Sequence, residues 1–227
     1  MMKFLNFFKY PLVAAVFIIF SGAVIQNPQE LPLLGQFDFE NGHAEGWQPK
    51  DTGHWQVVKK DGSLVYELTA PGEQGKVRAP TSWSLLAGHD VTSFVFSGKL
   101  RCYTDPANNK RDMCIFFHYQ DPTHFYYVHF AASSDNVHNV IALVNGADRA
   151  KINAEPEGKS VFRLTDKGWH DFKVTYDEKT GGIEAYLDDM GTPILTARDT
   201  TLPRGLVGVG SFDDTGCFDD VKLWGKK

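Results

Sequence analysis

Short segments in which apolar and polar residues alternate follow one another along most of this chain. Residues 63–70 and 169–176 are examples, and turn dipeptides such as Asp-Pro at 121–122 and Asn-Gly at 145–146 separate such segments. Alternation with a period of two puts successive side chains on opposite faces of a β-strand. No apolar stripe at helical spacing and no fixed-period repeat accompanies these segments. Many short strands of this kind predict an all-β protein, an antiparallel sandwich of two sheets.

The first 23 residues have a different character. Lys3 and Lys9 precede an apolar run over residues 11–20, and Ser, Gly and Ala follow at 21–23. A basic start, an apolar centre and a small-residue end are typical of a cleaved signal peptide, and the run is short for a membrane span. We therefore predict a signal peptide at residues 1–23 and export to the periplasm or the exterior, without stable membrane insertion. A retained N-terminal anchor is the alternative.

The remaining residues are numerous enough for one domain with a sizeable core. We predict an N-terminal extension at residues 24–36 and a single domain at residues 37–227, which we expect to be a monomer. The whole chain carries a formal net charge of −5, so its surface offers no electrostatic footprint for nucleic acid. An anionic ligand would have to be met by local basic groups.

Three cysteines are an odd number for an exported chain. Cys102 and Cys114 stand at the two ends of a polar loop between two apolar segments. If the loop joins paired strands, these residues face one another closely enough for a disulfide, and we expect them to be bridged. Two small buried thiols are the alternative. Cys217 is left over, and we expect it to be packed near the C-terminus.

Half of the chain's eight histidines lie within residues 118–138, among tyrosines and phenylalanines. They are His118, His124, His129 and His138. On a strand, His129 shares a face with Tyr127 and Phe125. Aromatic rings on such a face suit the apolar side of a sugar ring, and histidine and tyrosine can transfer protons. The segment therefore indicates the floor of a sugar-binding groove, and histidines at the rim of an aromatic-rich sheet are the alternative.

Short motifs rich in aromatic residues, glycine and aspartate stand at both ends and in the middle of the sequence. They are FDFENG at 37–42 with Gly-Trp at 46–47, Trp55 with DGSL at 61–64, YQDP at 119–122 with YYV at 126–128, Trp-His at 169–170, and GVGSF at 208–212 with FDDV at 218–221. Together they resemble the concanavalin A-like jelly-roll family of secreted carbohydrate-active proteins. The resemblance implies a jelly roll but little about chemistry, because this fold hosts lectins, glycosidases and polysaccharide lyases. The histidine-rich centre is similar to the oligosaccharide dehydratases of marine ulvan degraders.

The resemblance also implies a metal site. In related sandwiches the first and last strands run side by side and their carboxylates bind one Ca²⁺, and Asp38, Glu40 and Asp219 match that arrangement. Hard oxygen ligands suit Ca²⁺, and such a site would tie together two termini that otherwise fray. The alternative is that these acids are solvated or cap turns. Zinc is less expected, since the histidines lack a short ligand spacing, although histidines on neighbouring strands could converge. No organic cofactor is expected.

The sequence lacks the motifs of two common classes of hydrolase. The jelly-roll glucanases carry their carboxylates on an ExDxxE-type strand, and no such motif occurs here. The GxSxG elbow of serine hydrolases does not occur either. A glycoside hydrolase of the same superfamily that uses histidine and aspartate is a further alternative.

β-Elimination from a uronic acid needs groups that the central segments contain. His and Tyr suit the two proton transfers, and Arg or Lys can neutralise the carboxylate. The candidate catalytic residues are His129, Tyr127, His118 and His138. The candidate substrate-binding residues are Arg101, Tyr103, Lys99, Asn139, Arg149 and Lys151. Residues 99–103 alternate in character, so the polar ones are expected to face the groove and the apolar ones the core. A solvated sheet face is the alternative for Arg101.

Two functions of different classes follow from these observations. The first is a lyase or dehydratase that acts on uronate-containing, ulvan-like oligosaccharides by β-elimination, with an acidic oligosaccharide as its partner. The second is a non-catalytic, lectin-like carbohydrate-binding module that uses the same groove without proton transfer. The concentration of histidines favours the enzyme.

Overall fold

The computed structural model describes residues 31–154 and 163–227, and the predicted signal peptide lies outside them. The described chain forms fifteen strands in two antiparallel sheets, so the predicted all-β fold is confirmed. The strands are β1 (Leu33–Phe37), β2 (Trp47–Pro49), β3 (Trp55–Lys60), β4 (Ser63–Leu68), β5 (Ser82–Leu86), β6 (Phe94–Cys102), β7 (Asp112–Asp121), β8 (His124–Ala131), β9 (Val140–Asn145), β10 (Ala150–Lys151), β11 (His170–Asp177), β12 (Gly182–Leu187), β13 (Leu195–Arg198), β14 (Leu206–Ser211) and β15 (Gly216–Gly225). A 3-10 turn covers Thr52–His54. Within the described ranges, no helix has the length and apolar character needed to cross a membrane.

The two sheets pack face to face. The first sheet has the order β13-β12-β11-β6-β15-β4-β3, with β1 paired to β15, and the second has the order β10-β9-β8-β7-β14-β5-β2. Side chains between the sheets form the main core, which includes Phe94, Phe96, Leu100 and Cys102 of β6. The alternate residues of β6 from position 97 onward point away from that core and are half-buried. The phase predicted for this strand is therefore confirmed.

The second sheet is buried on both faces. On its outer face lies a second apolar cluster, to which β7 contributes Cys114 and Phe116 and β8 contributes Phe125 and Tyr127. Phe212, which follows β14 directly, packs on the same cluster. β7 and β8 are consequently buried at nearly every position. An antiparallel strand with one wet face shows clean alternation, and these two strands do not, because both of their faces are covered.

β1 and β15 lie side by side in the first sheet, with Phe37 opposite Val221. This pairing is the one that the jelly-roll resemblance implied for the first and last strands. Residues 33–36, which we expected in an N-terminal extension, are part of β1, because β15 offers them a free strand edge for backbone hydrogen bonds.

The expected disulfide is wrong, since Cys102, Cys114 and Cys217 are all buried free thiols. The loop between Cys102 and Cys114 is not a hairpin, because β6 belongs to the first sheet and β7 to the second. Cys102 lies in the core between the sheets, whereas Cys114 lies on the outer face of the second sheet. The second sheet itself therefore separates the two sulfur atoms. Cys217 is packed, as expected.

Candidate functional site

The residues predicted for elimination do not form one site. Lys99 and Arg101 lie on β6 and point outward from the first sheet. Tyr127 and His129 lie on β8 and point outward from the second sheet. The thickness of the sandwich separates the two pairs, so the expectation that Lys99 and Arg101 face the same groove as Tyr127 and His129 is wrong. Alternation gives the face of a strand, but not the sheet to which that strand belongs.

The two basic side chains of β6 already have carboxylate partners. Nζ of Lys99 lies 2.6 Å from Oδ2 of Asp220, and this hydrogen bond raises the pKa of Lys99. A guanidinium nitrogen of Arg101 lies 2.5 Å from Oδ2 of Asp61. Both ion pairs are partly exposed, so they contribute little to stability. They do hold Asp61 and Asp220 in fixed positions on the outer face of the first sheet.

A pocket of about 410 Å³ opens on the outer face of the first sheet. Its walls come from the residues after β1, the β3–β4 turn, β6, the segment before β11 and the middle of β15. The lining residues are Asp38, Glu40, Lys60, Asp61, Ser63, Lys99, Trp169, Asp219 and Asp220. Five carboxylates stand against two ammonium groups in this set, and we call it the acidic pocket.

Hydrogen bonds orient two acids of the acidic pocket. Oε1 of Glu40 accepts one from the Ser63 hydroxyl at 2.5 Å and one from the Leu64 amide at 2.9 Å. These hydrogen bonds lower the pKa of Glu40. Oδ1 of Asp219 accepts a hydrogen bond from the Asp220 amide at 2.8 Å, and burial raises the pKa of Asp219. The pocket therefore combines exposed carboxylates with one buried carboxyl group at Asp219.

Trp169 supplies the aromatic wall of the acidic pocket. It stands half-buried after the exposed segment 165–168, directly before the first residue of β11. That residue, His170, has its Nδ1 2.9 Å from Oδ2 of Asp188, which anchors the start of the strand. The sequence pattern marked Trp169 only as part of a fold motif. An isolated tryptophan after a polar segment was the available signal for a binding role.

Asp38, Glu40 and Asp219, the residues expected to bind Ca²⁺, all line the acidic pocket. Elsewhere in the described ranges, two groups of three residues bring their ligand atoms within 4.8 Å of one another. These groups are Asp112 with Cys114 and His129, and Asp112 with Asp213 and Asp214. The three pocket acids do not form such a group, and Oδ1 of Asp38 accepts a hydrogen bond from the Glu40 amide at 3.2 Å. These acids therefore share a pocket, but their ligand atoms are not gathered as closely as those of the two groups above.

A second set of residues, four of them predicted from the sequence, meets on the outer face of the second sheet. We call it the histidine cluster, and it consists of Asp112, Cys114, Tyr127, His129, His138, Arg149 and Phe212. The ring of His129 lies 5.4 Å from the ring of His138 and 5.9 Å from that of Phe212. The guanidinium group of Arg149 stacks on Phe212 at 4.3 Å. The fold therefore does bring together Tyr127, His129, His138 and Arg149.

The centre of the histidine cluster is closed. Tyr127 is 0% exposed and His129 is 2% exposed, so these side chains do not line an open groove. Phe212 covers His129, and the guanidinium groups of Arg78 and Arg149 stack on Phe212 in turn. Burial raises the pKa of Tyr127. Sequence analysis missed Asp112 and Cys114, although their spacing of two residues on a strand gives them a common face with each other.

His118 lies apart from the histidine cluster, in the core between the sheets. Its Nδ1 lies 2.7 Å from the carbonyl oxygen of Leu202 and its Nε2 lies 2.9 Å from that of Thr92. Its ring packs 4.3 Å from the ring of Tyr176. Burial lowers the pKa of His118, and the two carbonyl groups oppose that shift. This histidine fastens two connections to β7 and is not brought together with His129.

Three further predicted residues lie at separate places. Oδ1 of Asn139 accepts a hydrogen bond from the Ala131 amide at 2.8 Å, which holds the β8–β9 connection. Lys151 lies on the edge strand β10, opposite Ala142. Tyr103 follows β6 in the first sheet, its hydroxyl group is buried, and burial raises its pKa.

Comparison with known proteins identifies the fold. No protein-family model matches the sequence, and no curated protein matches it either. Among solved structures, the carbohydrate-binding module CBM66 from Bacillus subtilis has a TM-score of 0.55 and 16% identity, covering 79% of this chain and 95% of its own. Peanut lectin has a TM-score of 0.53 and 15% identity, covering 84% and 95%. A GH16 protein of the Bacteroides ovatus mixed-linkage glucan locus, solved with a G4G4G3G product, has a TM-score of 0.53 and 12% identity, covering 84% and 99%.

These neighbours confirm the concanavalin A-like jelly roll. At such low identity the likeness concerns the fold alone. The narrower resemblance to oligosaccharide dehydratases of ulvan degraders gains no support from the comparisons.

Proposed function

We propose that this protein binds carbohydrate and that the acidic pocket is its sugar site. The observation that carries the proposal is the composition of one pocket of about 410 Å³, which joins a half-buried tryptophan to carboxylates, lysines and a serine hydroxyl. This volume lies within the range of small-molecule sites. Among proteins of this fold, CBM66 and peanut lectin carry names that state carbohydrate binding, which agrees with the proposal.

The chemistry of the pocket suits a sugar ring. The indole of Trp169 can stack on the apolar face of a pyranose. Carboxylates accept hydrogen bonds from sugar hydroxyl groups, and bonds to a charged acceptor are shorter and stronger than neutral ones. The ion pairs of Asp61 and Asp220 with β6 fix two such acceptors before any ligand arrives, and this reduces the entropy lost on binding.

The charge of the pocket points to a neutral sugar. Five carboxylates outnumber two lysines, so a uronate would meet like charge at close range. Arg149, which could attract a uronate, lies on the opposite outer face and is engaged with Phe212. Our proposal therefore replaces the acidic oligosaccharide expected from the sequence with a neutral one.

Replacing Trp169 with alanine should weaken sugar binding about tenfold or more, because it removes the stacking surface. Isothermal titration of the full chain with a panel of neutral and uronate-containing oligosaccharides measures this. Trp224→Ala is the matched control, since Trp224 is also half-buried but lies outside the pocket, and it should bind as the wild type does. Equal affinity of Trp169→Ala and wild type, or no binding to any neutral oligosaccharide, would contradict the proposal.

Calcium at Asp38, Glu40 and Asp219 is also proposed, as an ion that would draw these acids together within the pocket they share. A ligand that binds only the native state stabilises it by about 2.7 kcal/mol at one hundred times its Kd. Calcium should therefore raise the melting temperature of the wild type and have no such effect on Asp219→Asn. An unchanged melting curve for the wild type in calcium and in chelator would reject the ion.

Elimination at the histidine cluster is a second candidate function. It is favoured by one observation, the meeting of Tyr127, His129 and Arg149 on a single face. We rank elimination below sugar binding for two reasons. Tyr127 and His129 are buried, and Arg101, the residue expected to bind the carboxylate, lies on the other sheet. The same oligosaccharide panel tests it, because elimination yields an unsaturated product that absorbs in the ultraviolet. Activity that His129→Ala and Tyr127→Phe each reduce by roughly 10²–10⁴ would establish it.

We also propose that the protein is exported. The support is the sequence of residues 1–23, with two lysines before an apolar run and small residues after it. A carbohydrate-binding protein outside the cytoplasm would meet its ligands directly.

A further inference from the structure

Asp112, Cys114 and His129 place three different ligand atoms in one small volume. Cys114 on β7 is directly opposite His129 on β8, and Asp112 lies two residues before Cys114, on the same face. One ligand atom from each of the three lies within 4.8 Å of the other two. All three residues are buried, so rigid strands, and not mobile loops, hold this arrangement.

Two buried side chains at this triad have polar atoms without hydrogen-bond partners. The side chain of His129 is only 3% exposed, and neither of its ring nitrogens makes a hydrogen bond. Nε2 does approach Oδ2 of Asp112 at 3.3 Å, but without the alignment of a hydrogen bond. The hydroxyl of Tyr127, two residues away on the same face, is also buried and unpaired. A buried polar atom without a partner is destabilising, so a group bound to His129 here would offset part of that cost.

We propose that Asp112, Cys114 and His129 bind a divalent transition-metal ion, with Zn²⁺ as the ion that the donors fit best. A carboxylate oxygen, a thiolate sulfur and an imidazole nitrogen are the three donor types that zinc sites use. Calcium and magnesium would not choose a sulfur ligand. Three protein ligands leave a fourth position of a tetrahedral site for water or another donor.

Charge and orientation agree with this assignment. A dication with the anions of Asp112 and Cys114 forms a neutral group, which suits the buried position of all three ligands. Oδ1 of Asp112 accepts hydrogen bonds from the Ser211 hydroxyl and the Phe212 amide, both at 2.8 Å, and from the Cys114 thiol at 3.8 Å. These bonds hold the carboxylate in place, and its Oδ2 lies 3.3 Å from Nε2 of His129.

An ion pair between Asp112 and a protonated His129 is the competing explanation. It would give Nε2 of His129 a charged partner at 3.3 Å. It would also require no thiol at position 114. The experiment below separates the two explanations by the sulfur atom. The metal proposal does not rest on sugar binding, because the acidic pocket lies on the other sheet.

Cobalt is the probe for this site. The full chain, freed of metal by chelator and dialysis, is titrated with Co²⁺, and the thiolate-to-cobalt charge-transfer band in the ultraviolet is followed. We expect the band to saturate at one equivalent per chain, and Zn²⁺ to abolish it by displacement. Zinc retained after dialysis, measured by mass spectrometry, should likewise be one equivalent.

Cys114→Ser should remove the charge-transfer band and the retained zinc, because the hydroxyl is nearly isosteric but a poor metal ligand. Cys217→Ser, which changes another buried free thiol, should keep both signals. Asp112→Asn provides a second variant of unchanged shape and should weaken Co²⁺ binding at least tenfold. Wild-type protein that shows no charge-transfer band would overturn the proposal. So would a folded Cys114→Ser variant with the wild-type band and stoichiometry, or loss of the band in Cys217→Ser.

Discussion

Gly210→Ala is expected to destabilise the protein by more than about 4 kcal/mol, which is among the largest costs of a single substitution. Gly210 lies in β14, opposite Trp83 of β5 and Cys114 of β7, in the interior of the second sheet. A Cβ atom at this position would overlap the carbonyl oxygen of Ser82 and lie 2.9 Å from Cα of Trp83. Both are backbone atoms of a paired strand, so relief requires that β14 and β5 separate.

The free energy of unfolding from urea titration measures this effect. Gly53→Ala is the matched control, because a Cβ at Gly53 would meet no atom within 4 Å, and its stability should stay within about 0.5 kcal/mol of the wild type. A Gly210→Ala protein within about 1 kcal/mol of the wild type would show that β14 and β5 do not approach as closely as described.

Arg111→Met is expected to cost about 3–5 kcal/mol, because three carbonyl oxygens would lose their charged hydrogen-bond donor. Arg111 is 0% exposed. Its guanidinium group donates hydrogen bonds to the carbonyl oxygens of Leu164, Asp166 and Cys102, the last at 2.6 Å. It thereby joins the end of β6 to the segment before β11. Methionine would fill much of the same volume and leave these carbonyl groups without a donor.

Arg198→Met is the control for that substitution, since Arg198 is an exposed residue at the end of β13. Its unfolding free energy should change by less than about 0.5 kcal/mol. Hydrogen exchange adds a local measurement, because residues 163–166 should lose protection in Arg111→Met before the sheets do. Similar stabilities of the two variants would contradict the role of Arg111.

The alternation of apolar and polar residues correctly predicted the orientation of side chains in strands that have one face toward solvent. In β6, Leu100 and Cys102 point to the core and Lys99 and Arg101 point outward, as predicted. Such a strand separates its two faces by polarity, so the pattern in the sequence and the pattern of burial coincide. The turn residues between the segments likewise indicated many short strands and hence the class of fold.

The same alternation could not predict which residues lie close together, because that depends on which strands share a sheet. β6 and β7 are consecutive in sequence but belong to different sheets. For that reason the expected Cys102–Cys114 disulfide and the expected common groove of Arg101 and His129 were both wrong. A local alternation of side chains contains no information about pairing with distant strands such as β14 and β15.

The candidate sites were also only partly predictable from the sequence, because they combine residues from distant segments. The acidic pocket joins residues 38–40, the β3–β4 turn, Trp169 and residues 219–220, which are far apart in sequence. The family resemblance supplied three of its acids, but only the fold placed Trp169 beside them. The histidine cluster was predicted more completely, because Tyr127 and His129 are close in sequence. Its closure was not predictable, because it depends on Phe212 and on arginines from two other segments.

The central claim is that sugar binds in the acidic pocket. The most direct test is an NMR titration of the isotope-labelled full chain with the oligosaccharide that binds best, in which the amide and indole chemical shifts are followed. The account predicts that the indole signal of Trp169 and the amide signals of Leu64 and Asp220 move together and saturate with one ligand per chain. Shifts confined to residues around Tyr127 and Phe212, or no shifts near Trp169 at saturation, would contradict it.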